Sequence, residues 1–293
     1  MKYRVTHTTK FSYSEAVPIG HNIVRLAPRQ LPHQSVADFR LFVNPEPLDL
    51  TFQQDYFDNE VAYFSIDDPH RHLSITAVSE VAVDPIDSAW LNQLDQTEPW
   101  ESVVQHVRGR IDPMATAALQ YTFGSRYVDW FDDLAAFTAE IFVANRPVGE
   151  AVWELTHKIF QEFKFDNTAT TLYTPISEVF ENRHGVCQDF AHLQLACLRQ
   201  LGLPARYVSG YLRTIPPPGK PRLVGADASH AWVSVYCGAA GWIDFDPTND
   251  QLAGTDYVTV AWGRDYQDVC PVQGVITGGG NHKMQVSVDV EPF

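Results

Sequence analysis

RHGVCQDFAHLQL, residues 183–195, places a single cysteine between a turn that contains glycine and the start of an apolar helix. At a helix N-terminus the first backbone N–H groups lack partners within the helix, and the helix dipole favours negative charge. A thiolate is stabilised there and becomes a usable nucleophile. The stretch makes Cys187 a candidate nucleophile. It also predicts a helix that ends at LGLP, residues 201–204, with Gly202 as the C-cap.

Two predicted strands farther along the chain supply an imidazole and a carboxylate. HAWVSVYC (residues 230–237) and GWIDFDPT (residues 241–248) are joined through GAAG, which predicts a β-hairpin. His230 and Asp246 both lie at the open end of that hairpin. A nucleophilic thiolate needs a general base and a group that orients this base, and the pair supplies both.

This hypothesis requires a hairpin register that places His230 and Asp246 on the same face of the sheet. If Cys237 pairs directly with Trp242, Asp246 lies opposite Val233. His230 and Asp246 then point to opposite faces of the sheet. A bulge or a register shift is required for the two to meet, and we expect a bulge between Val233 and Asp246 because bulges are common beside active sites.

Each of these residues also has a structural interpretation. Cys187 could be a structural cysteine at a helix start, His230 a hydrogen-bonded residue at a strand end, and Asp246 a turn-forming residue before proline. Asp244 has the same strand parity as Asp246, so either carboxylate could face the histidine, although the open end of the hairpin favours Asp246. Asp189, in the first turn of the cysteine helix, is interpreted as structural because it complements the helix dipole.

Donors for an oxyanion are less well defined. The backbone N–H of Cys187 is one candidate. The segment FDNTATTLYT, residues 165–174, offers Asn167 and Tyr173 for a second donor. Trp232 shares a strand face with the candidate base and could line the site, although an aromatic residue there more often packs in the core.

The remaining histidines and cysteines suggest no metal site. His184 precedes the helix, where the chain turns, and His192 lies about 140° around the helix from Cys187. HRH, residues 70–72, is in a turn-like segment without a nearby cysteine. We therefore predict no metal, no calcium and no other cofactor. A disulfide framework is not predicted either, since no CxxC pair occurs among the four cysteines, Cys187, Cys197, Cys237 and Cys270.

Charge and length exclude some classes of protein. The 36 acidic and 21 basic residues give a net charge of −15, and no lysine or arginine run occurs. Nucleic acid and anionic membranes are therefore not expected partners. No apolar stretch reaches membrane-spanning length and the first residues lack the apolar core of a signal peptide, so a cytoplasmic location is expected. The length of 293 residues favours two domains and leaves the oligomeric state open.

Residues 1–85 predict an antiparallel β domain, a small sandwich or barrel. DYFDNEVAYFSI, residues 55–66, predicts a hairpin around Asp-Asn-Glu. HLSITAVSEVAVD, residues 72–84, alternates with period two. The residues expected on one face of this strand are Leu73, Ile75, Ala77, Val81 and Val83.

The sequence pattern of residues 86–293 predicts helices packed on an antiparallel sheet. After a linker-like passage (residues 84–100), residues 130–145 and 148–163 have helical spacing of apolar residues. TPISEVFENRHG, residues 174–185, predicts a short helix with Thr174 as N-cap and Gly185 at its end. GVITGGGNH, residues 274–282, is interpreted as a flexible turn before a last strand.

The cysteine motif and the hairpin belong to longer stretches that, with a third, resemble a known family. The three stretches are RHGVCQDFAHLQLACLRQLGLPARYVSGYL, ASHAWVSVYCGAAGWIDFDPTND and VAWGRDYQDVCPVQGV. They resemble the bacterial transglutaminase-like family, whose core is related to papain-type folds. YRVTHTTKFSYSEAVPIGHNIVRLAPR resembles the N-terminal domain that accompanies this core. The resemblance implies an α+β fold with Cys187 as nucleophile, His230 as base and Asp246 as orienter.

The expected activity is acyl transfer from an amide bond, through a thioester on the cysteine. Water as acceptor gives peptide or amide hydrolysis, and an amine gives crosslinking; the sequence does not decide between them. The expected partner is a protein or peptide substrate that carries glutamine or another amide. The alternative is a non-catalytic binding or assembly module that retains the fold, and iodoacetamide reactivity of Cys187 distinguishes the two. A metal-dependent hydrolase would need a ligand cluster that the sequence lacks.

Overall fold

The computed structural model describes residues 1–85, 93–214 and 228–293, and shows an α+β protein with antiparallel sheets. Part of the passage interpreted as a linker, residues 86–92, lies outside the described residues. The strands are β1 (Lys2–Val17), β2 (Ile19–Val24), β3 (Gln34–Asn44), β4 (Leu50–Gln54), β5 (Glu60–Ile66), β6 (His70–Val83), β7 (Lys164–Phe165), β8 (His184–Gly185), β9 (Ala205–Leu212), β10 (Ala228–Tyr236), β11 (Trp242–Asp246), β12 (Gln251–Leu252), β13 (Tyr257–Gly263), β14 (Val272–Thr277) and β15 (His282–Pro292). The α-helices are α1 (Trp100–Gly109), α2 (Pro113–Ala118), α3 (Asp133–Ala139), α4 (Val148–Glu162), α5 (Ile176–Asn182), α6 (Cys187–Gln200) and α7 (Tyr266–Val269).

The N-terminal β region consists of two four-stranded sheets, ordered β15-β1-β6-β3 and β14-β2-β5-β4. The predicted face of β6 is buried, with each of its five apolar residues at most 4% exposed. The hairpin between β4 and β5 turns at residues 55–59, so the turn begins earlier than the Asp-Asn-Glu position expected from the sequence. Asp55 accounts for this, because its Oδ1 accepts the backbone N–H groups of Phe57 and Asn59.

The domain limits expected from the sequence need a correction at the C-terminal end. β15 pairs with β1 from Tyr3 to Tyr13, and β14 pairs with β2. Residues 272–292 therefore complete the two N-terminal sheets and do not join the sheet that contains β9 to β13. The stretch interpreted as a flexible turn is strand up to Thr277, and the turn contains Gly278, Gly279 and Gly280, all with positive φ.

The second part of the chain packs helices on a five-stranded sheet, ordered β12-β11-β10-β9-β13. α6 is the central helix: eleven of its residues are buried, from Asp189 to Arg199. Gly202 follows its end with φ +86°, a left-handed conformation that glycine adopts without strain. α4 buries the apolar stripe predicted for it, since Val152, Leu155 and Ile159 are fully buried.

The caps of the short helix before the cysteine differ from the prediction. The N-cap of α5 is Pro175, in extended conformation, and not the expected Thr174. The hydroxyl of Thr174 accepts the backbone N–H of Thr171 at 2.9 Å. The helix ends at Arg183, whose φ of 57° is left-handed, and Gly185 lies in β8. α1, α2 and α7 are not among the helices expected from the sequence. Among the described residues, no helix combines the length and the apolar character that crossing a membrane requires.

Candidate active site

The first turn of α6 is fixed by a buried carboxylate. Asp189 Oδ2 accepts the backbone N–H of Val186 at 2.8 Å and the hydroxyl of Thr170 at 2.6 Å. A Cβ on Gly185 would lie 2.8 Å from that oxygen, so only glycine permits this approach. Burial raises the pKa of Asp189, and the two hydrogen bonds only partly offset this effect. Asp189 therefore caps the helix that begins at Cys187, which is half-buried.

The hairpin of β10 and β11 has a different register from the expected one. Tyr236, not Cys237, pairs with Trp242, and Val233 pairs with Phe245. The pairing is continuous between these residues, so the bulge expected after Val233 is wrong. The shift occurs in the turn, where Cys237 N–H donates to Gly241 O at 2.7 Å and residues 238–240 form a 3-10 turn. This register gives His230 and Asp246 the same parity, and hence the same face.

The structure joins His230 to Asp246 and assigns Asp244 elsewhere. His230 Nε2 lies 2.6 Å from Asp246 Oδ2, and the Asp246 side chain is fully buried. Asp244 Oδ2 accepts the indole N–H of Trp232 at 2.8 Å. The carboxylate nearer to the open end of the hairpin is thus the one that contacts the histidine.

The electrostatics of the pair favour an imidazolium beside a carboxylate. Burial lowers the pKa of His230, but hydrogen bonds and charge interactions with Asp246 and Cys187 outweigh it and raise the pKa to about 10. Burial alone would raise the pKa of Asp246. Its hydrogen bond and charge interaction with His230, together with hydrogen bonds from Asn249 and Tyr257, lower it. Cys187, on a different element, thus lies next to the hairpin's histidine.

Sequence reasoning missed part of the surroundings of Asp246. Asn249 Nδ2 donates to Asp246 Oδ2 at 2.7 Å, and Asp246 Oδ1 accepts the backbone N–H of Thr248 at 2.8 Å. The Tyr257 hydroxyl donates to Oδ2 at 2.6 Å. A turn signal in Asp-Pro-Thr-Asn could have indicated the local contacts. Tyr257 comes from another strand, and no local pattern indicates it.

The three accessory residues proposed from the sequence have different environments. Trp232 is fully buried and packs edge-on against Tyr257 at 5.2 Å between ring centroids, so it supports the site from the core and does not line it. Asn167 is exposed in the turn after β7, whose strand pairs with β8 directly before α6. Tyr173 is 75% exposed. In the part of the chain that the structure describes, no hydrogen bond joins Asn167 or Tyr173 to the candidate triad.

The histidine on α6 is hydrogen-bonded to a residue outside the candidate triad. His192 is buried, and its Nε2 accepts the backbone N–H of Tyr266 at 3.2 Å. Burial, with a smaller contribution from Arg199, lowers its pKa to about 3. This neutral histidine packs between the rings of Tyr127 and Tyr207.

Open cavities are lined by the candidate base and by the neighbour of the candidate nucleophile. One, of about 730 Å³, is lined by His230, Asn249 and Phe165. Another, of about 440 Å³, contains Gln188, the neighbour of the cysteine, together with Tyr173. It shares Tyr173 and three further lining residues with a groove of about 920 Å³ that extends to β2 and β5 of the N-terminal sheets. Over residues 1–85, 93–214 and 228–293, no group of three or more His, Cys, Asp or Glu side chains could hold a metal ion.

Two family models match the sequence. Residues 3–82 match the bacterial transglutaminase-like N-terminal region, and residues 135–247 match the transglutaminase-like superfamily. An uncharacterized protein of Mycobacterium tuberculosis is 40% identical over 297 residues, covering 100% of this chain and 93% of that protein. A protein-glutamine gamma-glutamyltransferase of Pseudomonas aeruginosa is 33% identical over 102 residues, which cover 32% of this chain and 15% of that protein.

A solved structure shares the fold. The crystal structure of a candidate cysteine protease from Cytophaga hutchinsonii aligns with a TM-score of 0.74 and 23% sequence identity. The alignment covers 99% of this chain and 90% of that one. The N-terminal β region and the helices on the five-stranded sheet therefore form one architecture that occurs elsewhere.

Proposed function

Because the chain belongs to the bacterial transglutaminase-like family, a family of cysteine-dependent enzymes, we propose that it transfers an acyl group from an amide to an acceptor through a thioester on Cys187. The observation that carries this proposal is the 2.6 Å hydrogen bond from His230 to the buried carboxylate of Asp246, together with the interaction of Cys187 that contributes to the raised pKa of His230. A merely structural cysteine at a helix start has no need of such a pair.

Each residue has a defined step. The Cys187 sulfur, deprotonated by His230, attacks the amide carbon, and a C–S bond forms. The C–N bond then breaks, and the imidazolium gives its proton to the leaving nitrogen, which departs as ammonia or an amine. Water or an amine next attacks the thioester carbon and gives its proton to the neutral His230 imidazole. A C–O or C–N bond forms, the C–S bond breaks, and the sulfur leaves as a thiolate. Because Asp246 holds Nε2 of the ring, Nδ1 is the nitrogen that serves the sulfur.

Oxyanion stabilisation is assigned to the start of α6. The Cys187 backbone N–H belongs to the first turn, where N–H groups lack helical partners and the dipole favours negative charge. Asn167 is one candidate for a second donor, because its turn follows β7, the strand that pairs with β8 directly before α6. Tyr173 is the other candidate. It lines the cavity that contains Gln188.

The proposed substrate is a polypeptide, attacked at a glutamine side-chain amide. The groove that runs from Gln188 to the N-terminal sheets is larger than one side chain requires, and it contains the exposed ring of Tyr173. The local similarity to a protein-glutamine gamma-glutamyltransferase favours glutamine as the acyl donor. Water and an amine both remain as acceptors in the proposal.

The test combines two assays on one protein substrate. Dimethylated casein, which has no free lysine amines, is incubated with the protein and a fluorescent primary amine. Attachment of the amine reports transfer, and release of ammonia without attachment reports hydrolysis. Cys187→Ala is expected to abolish both reactions. Asp246→Asn is expected to reduce the rate about a thousandfold, since it misorients the base without removing it.

A covalent intermediate provides the decisive readout. Mass spectrometry of the acid-quenched wild-type protein should show an adduct on the peptide that contains Cys187. Cys197→Ala, a control at a fully buried cysteine of the same helix, should leave this adduct in place. The proposal is wrong if a folded wild-type protein neither forms the adduct nor alkylates at Cys187 with iodoacetamide.

A further inference from the structure

One oxygen of Asp246 receives three side-chain donors. His230 Nε2 lies 2.6 Å from Oδ2, the Tyr257 hydroxyl 2.6 Å and Asn249 Nδ2 2.7 Å. Gln251 Nε2 donates to the Tyr257 hydroxyl at 2.5 Å, so the proton of that hydroxyl is free to point at the carboxylate. His230 is thus not alone in setting the position of the carboxylate.

Tyr257 is built to remain a donor. Its side chain is 5% exposed, and its ring packs edge-on against Trp232. Burial, and then the charge of Asp246, raise the pKa of Tyr257 far above its usual range. The hydroxyl therefore keeps its proton, and the hydrogen bond to Asp246 favours the ionised carboxylate.

The strand that carries Tyr257 is held by the N-terminal sheets. β13 is an edge strand of the five-stranded sheet, so its outward backbone groups need partners from elsewhere. Gln34 of β3 donates Nε2 to Thr259 O and accepts Thr259 N–H, both at 2.8 Å. Asn59 does the same at Trp262, at 2.9 and 3.0 Å. Both amides are buried, at 1% and 0% exposure.

We propose that Tyr257 is a positioning residue that fixes the Asp246 carboxylate against His230, and that the N-terminal sheets hold its strand in place through Gln34 and Asn59. The inference rests on the proposed function of Cys187, His230 and Asp246. It assigns the N-terminal β region a part in assembling the site, although its own residues donate no group to the triad.

The test measures the ionisation of Asp246 directly and needs no substrate. The protein is labelled with [4-¹³C]aspartate, and the Asp246 carboxyl signal is assigned from its absence in Asp246→Asn. The groups that face this carboxylate are His230 on β10, Tyr257 on β13 and Asn249 in the following turn, with Cys187 on α6 beyond the imidazole. In Tyr257→Phe we expect the midpoint of the signal to rise by about one pH unit, because a donor to the charged form is lost.

Tyr211→Phe is the matched control. Tyr211 is a buried tyrosine of the neighbouring strand β9, and its hydroxyl is hydrogen-bonded to His7 at 3.1 Å, away from Asp246. It should lower stability without moving the Asp246 midpoint. Equal midpoints in Tyr257→Phe and the wild-type protein, or equal shifts in both phenylalanine variants, would overturn the positioning role.

Gln34→Ala tests the contribution of the N-terminal sheets. It is also the variant that tests the proposal if Tyr257→Phe does not fold. It leaves every group on Asp246 in place but removes both Gln34 hydrogen bonds to Thr259, whose carbonyl keeps the backbone N–H of Arg29 as its partner from the N-terminal region. A smaller upward shift is therefore expected. Gln30→Ala is its control, since Gln30 makes the same pair of amide hydrogen bonds to Val36 within the N-terminal region. Identical midpoints in the two glutamine variants contradict the proposed support. Because no turnover is measured, these outcomes stay separate from a failure of the proposed function.

Discussion

At the scale of single residues, His230 links the candidate site to the stability of the fold. Its side chain is 9% exposed and its carboxylate partner is fully buried, so the charged pair exists only in the folded protein. Charges in such a pair stabilise each other but have lost solvation, and breaking the pair by removing one partner is costly. The raised pKa of His230 therefore has a measurable consequence for folding.

We predict that stability falls at alkaline pH because of this histidine. Its pKa is about 10 in the folded protein and about 6.5 in an unfolded chain. The contribution of the imidazolium is complete below pH 6.5 and is lost as the pH rises through about 10. Urea unfolding of wild-type protein and His230→Gln should give a free-energy difference that shrinks over this range. A difference that is constant from pH 6 to pH 10 would contradict the assignment.

At the scale of secondary-structure elements, the start of α6 depends on one carboxylate from inside the helix. Asp189 occupies the third helical position and accepts the N–H of Val186, which precedes the helix. The same oxygen accepts the hydroxyl of Thr170, so it also anchors the loop that leads from Asn167 to Tyr173. One Asp189 oxygen therefore couples the cap of α6 at Val186, the residue before the candidate nucleophile, to the position of the loop that contains Thr170.

Asp189→Ala is expected to destabilise the protein by about 1–2 kcal/mol, since a cap is lost and Val186 N–H is left without its partner. Asp189→Asn is the matched variant, because an amide oxygen in the place of Oδ2 can still accept both the Val186 N–H and the Thr170 hydroxyl. It should lose less than half as much. The measurement is the free energy of unfolding in urea at pH 7, and equal losses in the two variants would argue against capping.

At the scale of the whole molecule, the two parts of the chain share one hydrophobic core. Tyr3 and Val5 of β1, Val288 and Val290 of β15, and the buried face of α6 belong to the same cluster. Tyr3 also reaches across the boundary, with its hydroxyl 3.0 Å from Thr255 O. The N-terminal sheets are therefore joined to the core through apolar packing and not only through a connecting segment.

We predict that the N-terminal sheets and the core unfold together. Val290→Ala, at a fully buried position of β15, should cost about 2 kcal/mol. It should also accelerate amide hydrogen exchange in α6 as much as in β1. Val286→Ala is the control on the same strand, because Val286 is 48% exposed and its truncation leaves no cavity. Faster exchange confined to β1 and β15 would show that the two parts unfold separately.

The amino-acid sequence by itself determined the elements with strong local signals. The alternation along residues 72–84 gave the buried face of β6, and the motif around Cys187 gave the start of α6. The sequence also predicted the glycine that follows α6 and the presence of a turn between β10 and β11, since turn-forming residues act locally. The family followed from the order and spacing of three short motifs.

Only the tertiary structure decided which distant groups meet. The register of β10 and β11 depends on how the turn at residues 238–240 closes, and a change of one residue moves Asp246 to the other face. Tyr257 reaches that carboxylate from a strand that local periodicity does not connect to it. The return of residues 272–292 to the N-terminal sheets likewise has no local signal. Strand pairing over such separations is settled by burial of the shared core, because each strand alone could pair with several neighbours.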